Sequence, residues 1–136
     1  MIDANELLEA IRNARAPSYQ LDRAIGLFAG SLRLDERGRL YAPQGDSRVY
    51  GAFGDGILLT GRHVTSSIDA IRQLVEEAFP GWLWSVGRVG SGAWHANLIE
   101  PGGEGAAAAI HDSPALALCL AFVIAFAAER ARKAVA

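Results

Sequence analysis

Cysteine is almost missing from this chain. The one present, Cys119, excludes an internal disulfide and any zinc site built from several thiolates. A basic excess is missing too. Thirteen Lys and Arg stand against fifteen Asp and Glu, a net charge of −2, so binding by phosphate neutralisation is disfavoured and no nucleic-acid partner is expected. The three histidines, His63, His95 and His111, lie far apart with no metal-ligand spacing. Each reads as a surface or hydrogen-bonded residue, and neither a metal nor a cofactor is expected.

Other absences narrow the chemistry further. Gly51–Gly56 has the glycines of a phosphate loop but not its Lys-Ser/Thr, and reads as a turn. Ser66-Ser67 has no G-x-S-x-G elbow around it and reads as a helix cap. Cys119 sits among Leu118, Leu120 and Phe122, where a thiolate is disfavoured, so a Cys-His nucleophile is not expected there. The apolar run Ala115–Ala128 falls short of the roughly 20 residues of a membrane span and runs into the charged segment Glu129–Lys133. No membrane association is expected. The opening MIDANELLEA is acidic and amphipathic rather than signal-like, which makes the cytoplasm the expected location.

What remains is an ordinary globular composition. At 136 residues, 51% hydrophobic and 21% charged, the chain is long enough for one domain spanning 1–136 with a core of useful size.

Asp3 and Glu6 have capping-box spacing before a helix over Ala4–Ala14, striped by Leu7, Leu8 and Ile11. Ser18 can cap a second helix carrying Leu21, Ile25 and Phe28, with Gly30 as its stop. Residues 31–63 read as an irregular insert. Within it, Leu32-Arg33-Leu34 and Arg39-Leu40-Tyr41 can form a short hairpin around Asp35-Glu36-Arg37-Gly38. Pro43–Gly56 reads as an irregular loop, and Ile57-Leu58-Leu59 as a short strand or a hydrophobic anchor. A third helix, capped by Thr65 or Ser66, carries Ile68, Ile71, Val75, Ala78 and Phe79 on one stripe and stops at Pro80-Gly81.

A hairpin follows. Trp82–Val89 and Ala93–Glu100 flank Gly90-Ser91-Gly92. Opposing Val89 to Ala93 opposes Gly87 to His95 and Ser85 to Asn97. The period of two then puts Trp82, Trp84, Val86, Trp94, Ala96 and Leu98 on a core face. Leu83, Ser85, Gly87, His95, Asn97 and Ile99 fall on a second, mixed face. Gly105–Ile110 can add a third antiparallel strand. The last helix opens with Ser113 as cap and Pro114 at its first position. Ala117, Ala121, Ala125 and Ala128 make a ridge that can lie close on a sheet.

Two candidate surfaces emerge. Ser85, His95 and Asn97 converge on the mixed sheet face and can hold a small ligand; an exposed sheet face, or a seat for the N-terminal helices, accounts for them equally. The last helix is apolar nearly all round and needs cover on more than one side. Helix three can supply it, or a second copy can meet Leu116, Leu120 and Val123 on one side or Phe122 and Phe126 on the other, giving a homodimer.

Three stretches carry a family resemblance. They are Ser67-Ile68-Asp69-Ala70, Pro80-Gly81-Trp82 and Ser113-Pro114-Ala115-Leu116-Ala117-Leu118-Cys119, with Tyr19-Gln20-Leu21-Asp22-Arg23-Ala24-Ile25 as a further, first element in the chain. In this order the sequence resembles the phage ABA sandwich domain family over Ser18–Arg132, leaving out Ser31–Arg62. The resemblance implies a layered α/β/α domain from a phage or prophage, working in a bacterial host. It implies no activity, so no catalytic residue is carried over. The expected fold is therefore α+β: an antiparallel sheet of three or four strands with helices packed on it, sandwich-like. The expected function is that of a small phage-type accessory protein, a non-enzymatic protein-interaction module. The alternative is a ligand-binding protein or minor enzyme using His95, Asn97 and Ser85.

Overall fold

The structure, a computed structural model, describes residues 3–38, 40–41, 49–50, 63–90, 92–103 and 105–135. Helix α1 (Ala4–Asn13) begins where the Asp3 carboxylate accepts from the Glu6 N–H at 2.8 Å, and it buries Leu7 and Ile11. Helix α2 (Tyr19–Ala29) begins at Ser18, whose hydroxyl accepts from the N–H groups of Gln20 and Leu21. It ends at Gly30, which takes the left-handed conformation (φ 82°) that favours glycine. One turn earlier, Leu32 folds back onto Gly26. A Cβ there would sit 2.6 Å from Leu32 Cδ1, so any larger residue would push the following hairpin away.

That hairpin pairs β1 (Arg33–Leu34) with β2 (Leu40–Tyr41), as the sequence suggests. A third short strand, β3 (Val49–Tyr50), pairs with β2. It was not expected, because two residues carry no readable period. The other readings of 43–56, and the reading of Ile57-Leu58-Leu59, lie outside the described residues.

Helix α3 (Ile68–Ala78) is capped by Ser67 rather than by Thr65 or Ser66. The Ser67 hydroxyl accepts from the Ala70 N–H at 3.2 Å. Thr65 has been drawn into the core, and Ser66 bonds back to the His63 carbonyl. Leu74 joins Ile71 and Val75 on the buried stripe.

The main sheet is β4 (Leu83–Arg88), β5 (Trp94–Ile99) and β6 (Ala106–His111), in that order and antiparallel throughout. The register pairs Gly87 with His95 and Ser85 with Asn97, as the turn position requires. Helix α4 (Pro114–Val135) follows at once, with the Ser113 hydroxyl accepting from the Leu116 N–H.

Helix α4 is the middle layer. It lies on β5 and β6 with one side and is covered by α1, α3 and α2 on the other. Leu116 to Val123 is an unbroken run of buried residues. The α+β class agrees with the expectation, but the layer order does not. Among the described residues the sheet is an outer layer, not the centre of an α/β/α sandwich. The cause lies in α4, which is apolar all round and therefore needs a sheet on one side and helices on the other.

The helix expected over Pro114–Arg132 runs on to Val135, because Arg, Lys and Ala are strong helix formers. Two other expectations about α4 change. Its length and composition would suffice to cross a membrane, yet more than half of its most apolar window is buried inside the chain. The interface suggested for Leu116, Leu120, Val123 and Phe122 is also corrected. All four are at most 2% exposed, covered by the chain's own elements. Phe126 is half-buried and stacks between Phe28 (5.4 Å between centroids) and Phe122 (5.6 Å).

Candidate functional site

The period of two splits the main sheet into unlike faces. Inward, Ala96 and Leu98 are fully buried, and Ala107 nearly so, beneath α4. Trp82, Trp84, Val86 and Trp94 are half-buried and pack at the border of the same core. Trp82 lies 4.5 Å from the Phe79 ring, between centroids. The tryptophans therefore serve packing, as their alternation suggests.

Outward, the register brings Leu83, Ile99 and Ala106 into one row, Ser85, Asn97 and Ala108 into the next, and Gly87, His95 and Ile110 into a third. Leu83 is 62% exposed, Ile99 48% and Ile110 59%. The three residues proposed for a ligand site are indeed together here. The Asn97 side-chain amide lies 3.2 Å from His95 Nδ1 and 3.5 Å from the Ser85 hydroxyl, which it can donate to. Ser85 is exposed, and His95 and Asn97 are half-buried. They sit on an open surface rather than under the N-terminal helices. Leu83, Ile99 and Ile110 were not singled out in the sequence. Leu83 and Ile99 were assigned to the mixed face, but their exposure depends on where the helices go.

An open groove of about 390 Å³ runs along β6, lined by Ala108, Ala109 and Ile110, by Leu120 and Ile124 of α4, and by Arg12 and His95. A second of about 320 Å³ lies between Arg12–Arg15 and Ile110–Asp112. In its wall, His111 Nδ1 accepts from the Ser113 N–H at 3.1 Å. Its other nitrogen, Nε2, therefore carries the hydrogen and donates to the Ile11 carbonyl at 3.0 Å. His111 thus ties the end of α1 to the β6–α4 junction. A smaller cleft, about 160 Å³, lies between Phe79, Trp82, Phe126 and the charged residues Glu129, Arg130 and Lys133.

The most polar buried spot is one the sequence did not reveal. Asp22 is 4% exposed and Thr65 is fully buried. Asp22 Oδ1 accepts from both the Thr65 N–H and the Thr65 hydroxyl, each at 2.7 Å. The Ser18 N–H donates to Thr65 Oγ1 at 3.0 Å. His63 Nδ1 lies 3.6 Å from Asp22 Oδ2, an ion pair when His63 is protonated. An Asp in the first turn of a helix ordinarily serves the dipole from the surface. Here it is a clamp between α2 and the entry to α3. Next to it, Cys119 donates to the Val64 carbonyl at 3.4 Å. Burial, and secondarily the negative charge of Asp22, hold its thiol pKa well above the ordinary value, so it is a neutral packing group.

Among the described residues, no group of three or more His, Cys, Asp or Glu is placed to hold a metal ion. No family model, no curated protein and no solved structure matches this chain.

Proposed function

We propose that this chain is a non-enzymatic protein-interaction module, an accessory protein of phage or prophage type, and that it docks its partner on the outer face of β4-β5-β6. The supporting observation is the exposure of Leu83, Ile99 and Ile110 on one flat face whose remaining residues are small or polar. Exposed large apolar side chains grouped on one surface mark interaction sites far more often than scattered ones do. A broad, open face suits a protein surface better than a small molecule. The phage-type assignment rests on the sequence resemblance alone.

The test is site-specific photo-crosslinking in a bacterial host. A crosslinker at Ser85 is expected to trap a discrete partner, one at the exposed Glu9 of α1 is not, and Ile99→Lys is expected to abolish the product. Equal labelling from both positions, or labelling indifferent to Ile99→Lys, would overturn the reading.

A second reading has its own support. Ser85, Asn97 and His95 form a hydrogen-bonded trio, and His95 also lines the groove beside Arg12. A small polar ligand held there would perturb the Asn97 side-chain amide signals first. A fragment-library NMR titration in which those signals never move ahead of the rest would dismiss it.

A further inference from the structure

Aromatic side chains gather where the end of α3 meets the second half of α4. Phe79 meets Phe122 and Phe126 edge-on, and the Trp82 ring leans on Phe79 from the other side. Trp82 is held in turn by Gly105, where a Cβ would sit 2.7 Å from its Cη2. Phe122 is fully buried and Phe79 nearly so, but Trp82 and Phe126 are only half-buried. With Phe79 they wall the cleft of about 160 Å³ that opens beside Pro80. A cavity of about 150 Å³ holds one benzene molecule, so the cleft has room for a single six-membered ring.

The rim of this cleft is charged, and its charges are not balanced. Glu129, Arg130 and Lys133 stand there together. The Glu129 carboxylate is already committed, since Arg132 donates to it at 2.6 Å. Among the described residues, no carboxylate pairs with Arg130 or Lys133. Arg130 instead lies against rings, its guanidinium carbon 4.9 Å from the Phe28 centroid and 5.4 Å from that of Phe126. A guanidinium stacked on a ring keeps its in-plane N–H donors, whose fork matches a carboxylate. Helical side chains lean toward the N-terminus. Arg130 and Lys133, three residues apart and so on one face, therefore reach back toward Phe126 and away from the carbonyl end of α4.

We propose that this cleft binds a small aromatic carboxylate. Its ring enters between Phe79, Trp82 and Phe126, and its carboxylate meets Arg130 and Lys133. A ring without charge gains only the apolar slot, and a carboxylate without a ring gains only the two cations. The site faces the helix side of the sheet, so it does not rest on the protein-docking role given to the outer face.

Phenylacetate titrated into the whole chain at low salt, followed by amide NMR, tests it. The dissociation constant is expected on the order of 1 mM, the range open to so small a ligand. The Trp82 indole signal and the amides of Phe79, Phe126 and Arg130 are expected to move first. Phenylacetamide lacks the charge and acetate lacks the ring, and each is expected to bind about tenfold more weakly. Arg130→Gln and Lys133→Gln are each expected to weaken phenylacetate about threefold or more, and salt to weaken it further in wild type. Both positions are exposed, and circular dichroism checks that the variants fold. Lys133 makes no ring contact among the described residues, so its variant reports charge apart from packing. Arg12→Gln, at the groove beside β6, is expected to change nothing. Signals of the cleft that stay still up to about ten times that concentration would overturn the proposal. So would phenylacetamide binding as tightly as phenylacetate, an affinity indifferent to Lys133→Gln, or an equal loss from Arg12→Gln.

Discussion

The two faces of the β4-β5-β6 sheet come from the same strands, residue by alternate residue, yet they live in different environments. Leu98 is fully buried beneath α4, while its chain neighbour Ile99 is 48% exposed. Ala107 is covered, while Ala106 and Ala108 are open. The difference shows that an apolar residue at a regular position is not by itself a core residue. On the inner face it meets α4 and stabilises the fold. On the outer face the same side-chain type contributes little to stability and is free for recognition.

That contrast can be broken or sharpened by substitution. The largest effect is expected from Phe122→Ala in α4. This ring is fully buried, with Phe79 at 5.8 Å and Phe126 at 5.6 Å between centroids. Its loss should cost about 3–5 kcal/mol in urea unfolding. Leu98→Ala, on the inner face, should cost about 2–4 kcal/mol by the same measurement. The matched outer-face change, Ile99→Ala, should stay within about 0.5 kcal/mol of wild type. A cost for Ile99→Ala approaching that of Leu98→Ala would mean that the outer face is covered.

The Asp22 clamp gives a smaller effect. Thr65→Val removes the hydroxyl donor from a buried carboxylate but keeps the volume. It should cost about 1–3 kcal/mol, whereas Ser66→Ala, one residue on and exposed, should be close to neutral by thermal denaturation.

The mildest prediction is an alkaline one. The Cys119 thiol pKa is raised in the folded state above its ordinary value of 9.0. The stability it contributes is thus complete below that value. As pH rises past it, the unfolded chain ionises and the folded one does not, so stability falls by up to about 1.4 kcal/mol per pH unit. Cys119→Ala should flatten that part of the stability profile. An unchanged slope would place the origin elsewhere, in the tyrosines or lysine.

Much of the local structure was legible in the chain itself. The caps at Asp3, Ser18 and Ser113 and the stop at Gly30 are short-range chemistry, settled within four residues. The hairpin register followed from the Gly90–Gly92 turn and the alternation of Trp82, Trp84 and Val86. Ser67 was missed as a cap because Thr65, Ser66 and Ser67 are equivalent at that range. What separates them is Asp22, 43 residues away in sequence, which draws Thr65 inward. The candidate site was half legible. The meeting of Ser85, Asn97 and His95 follows from register, but their openness does not.

The sequence by itself determined the four helices, how β4 pairs with β5, and that α4 must be enclosed, because capping, turn geometry and hydrophobic period act over a few residues. Only the tertiary structure decided that α4 lies between the sheet and the helices. Two sides of an all-apolar helix compete for the same cover, and local sequence cannot rank them. That packing choice leaves the sheet outermost and turns Leu83, Ile99 and Ile110 into surface.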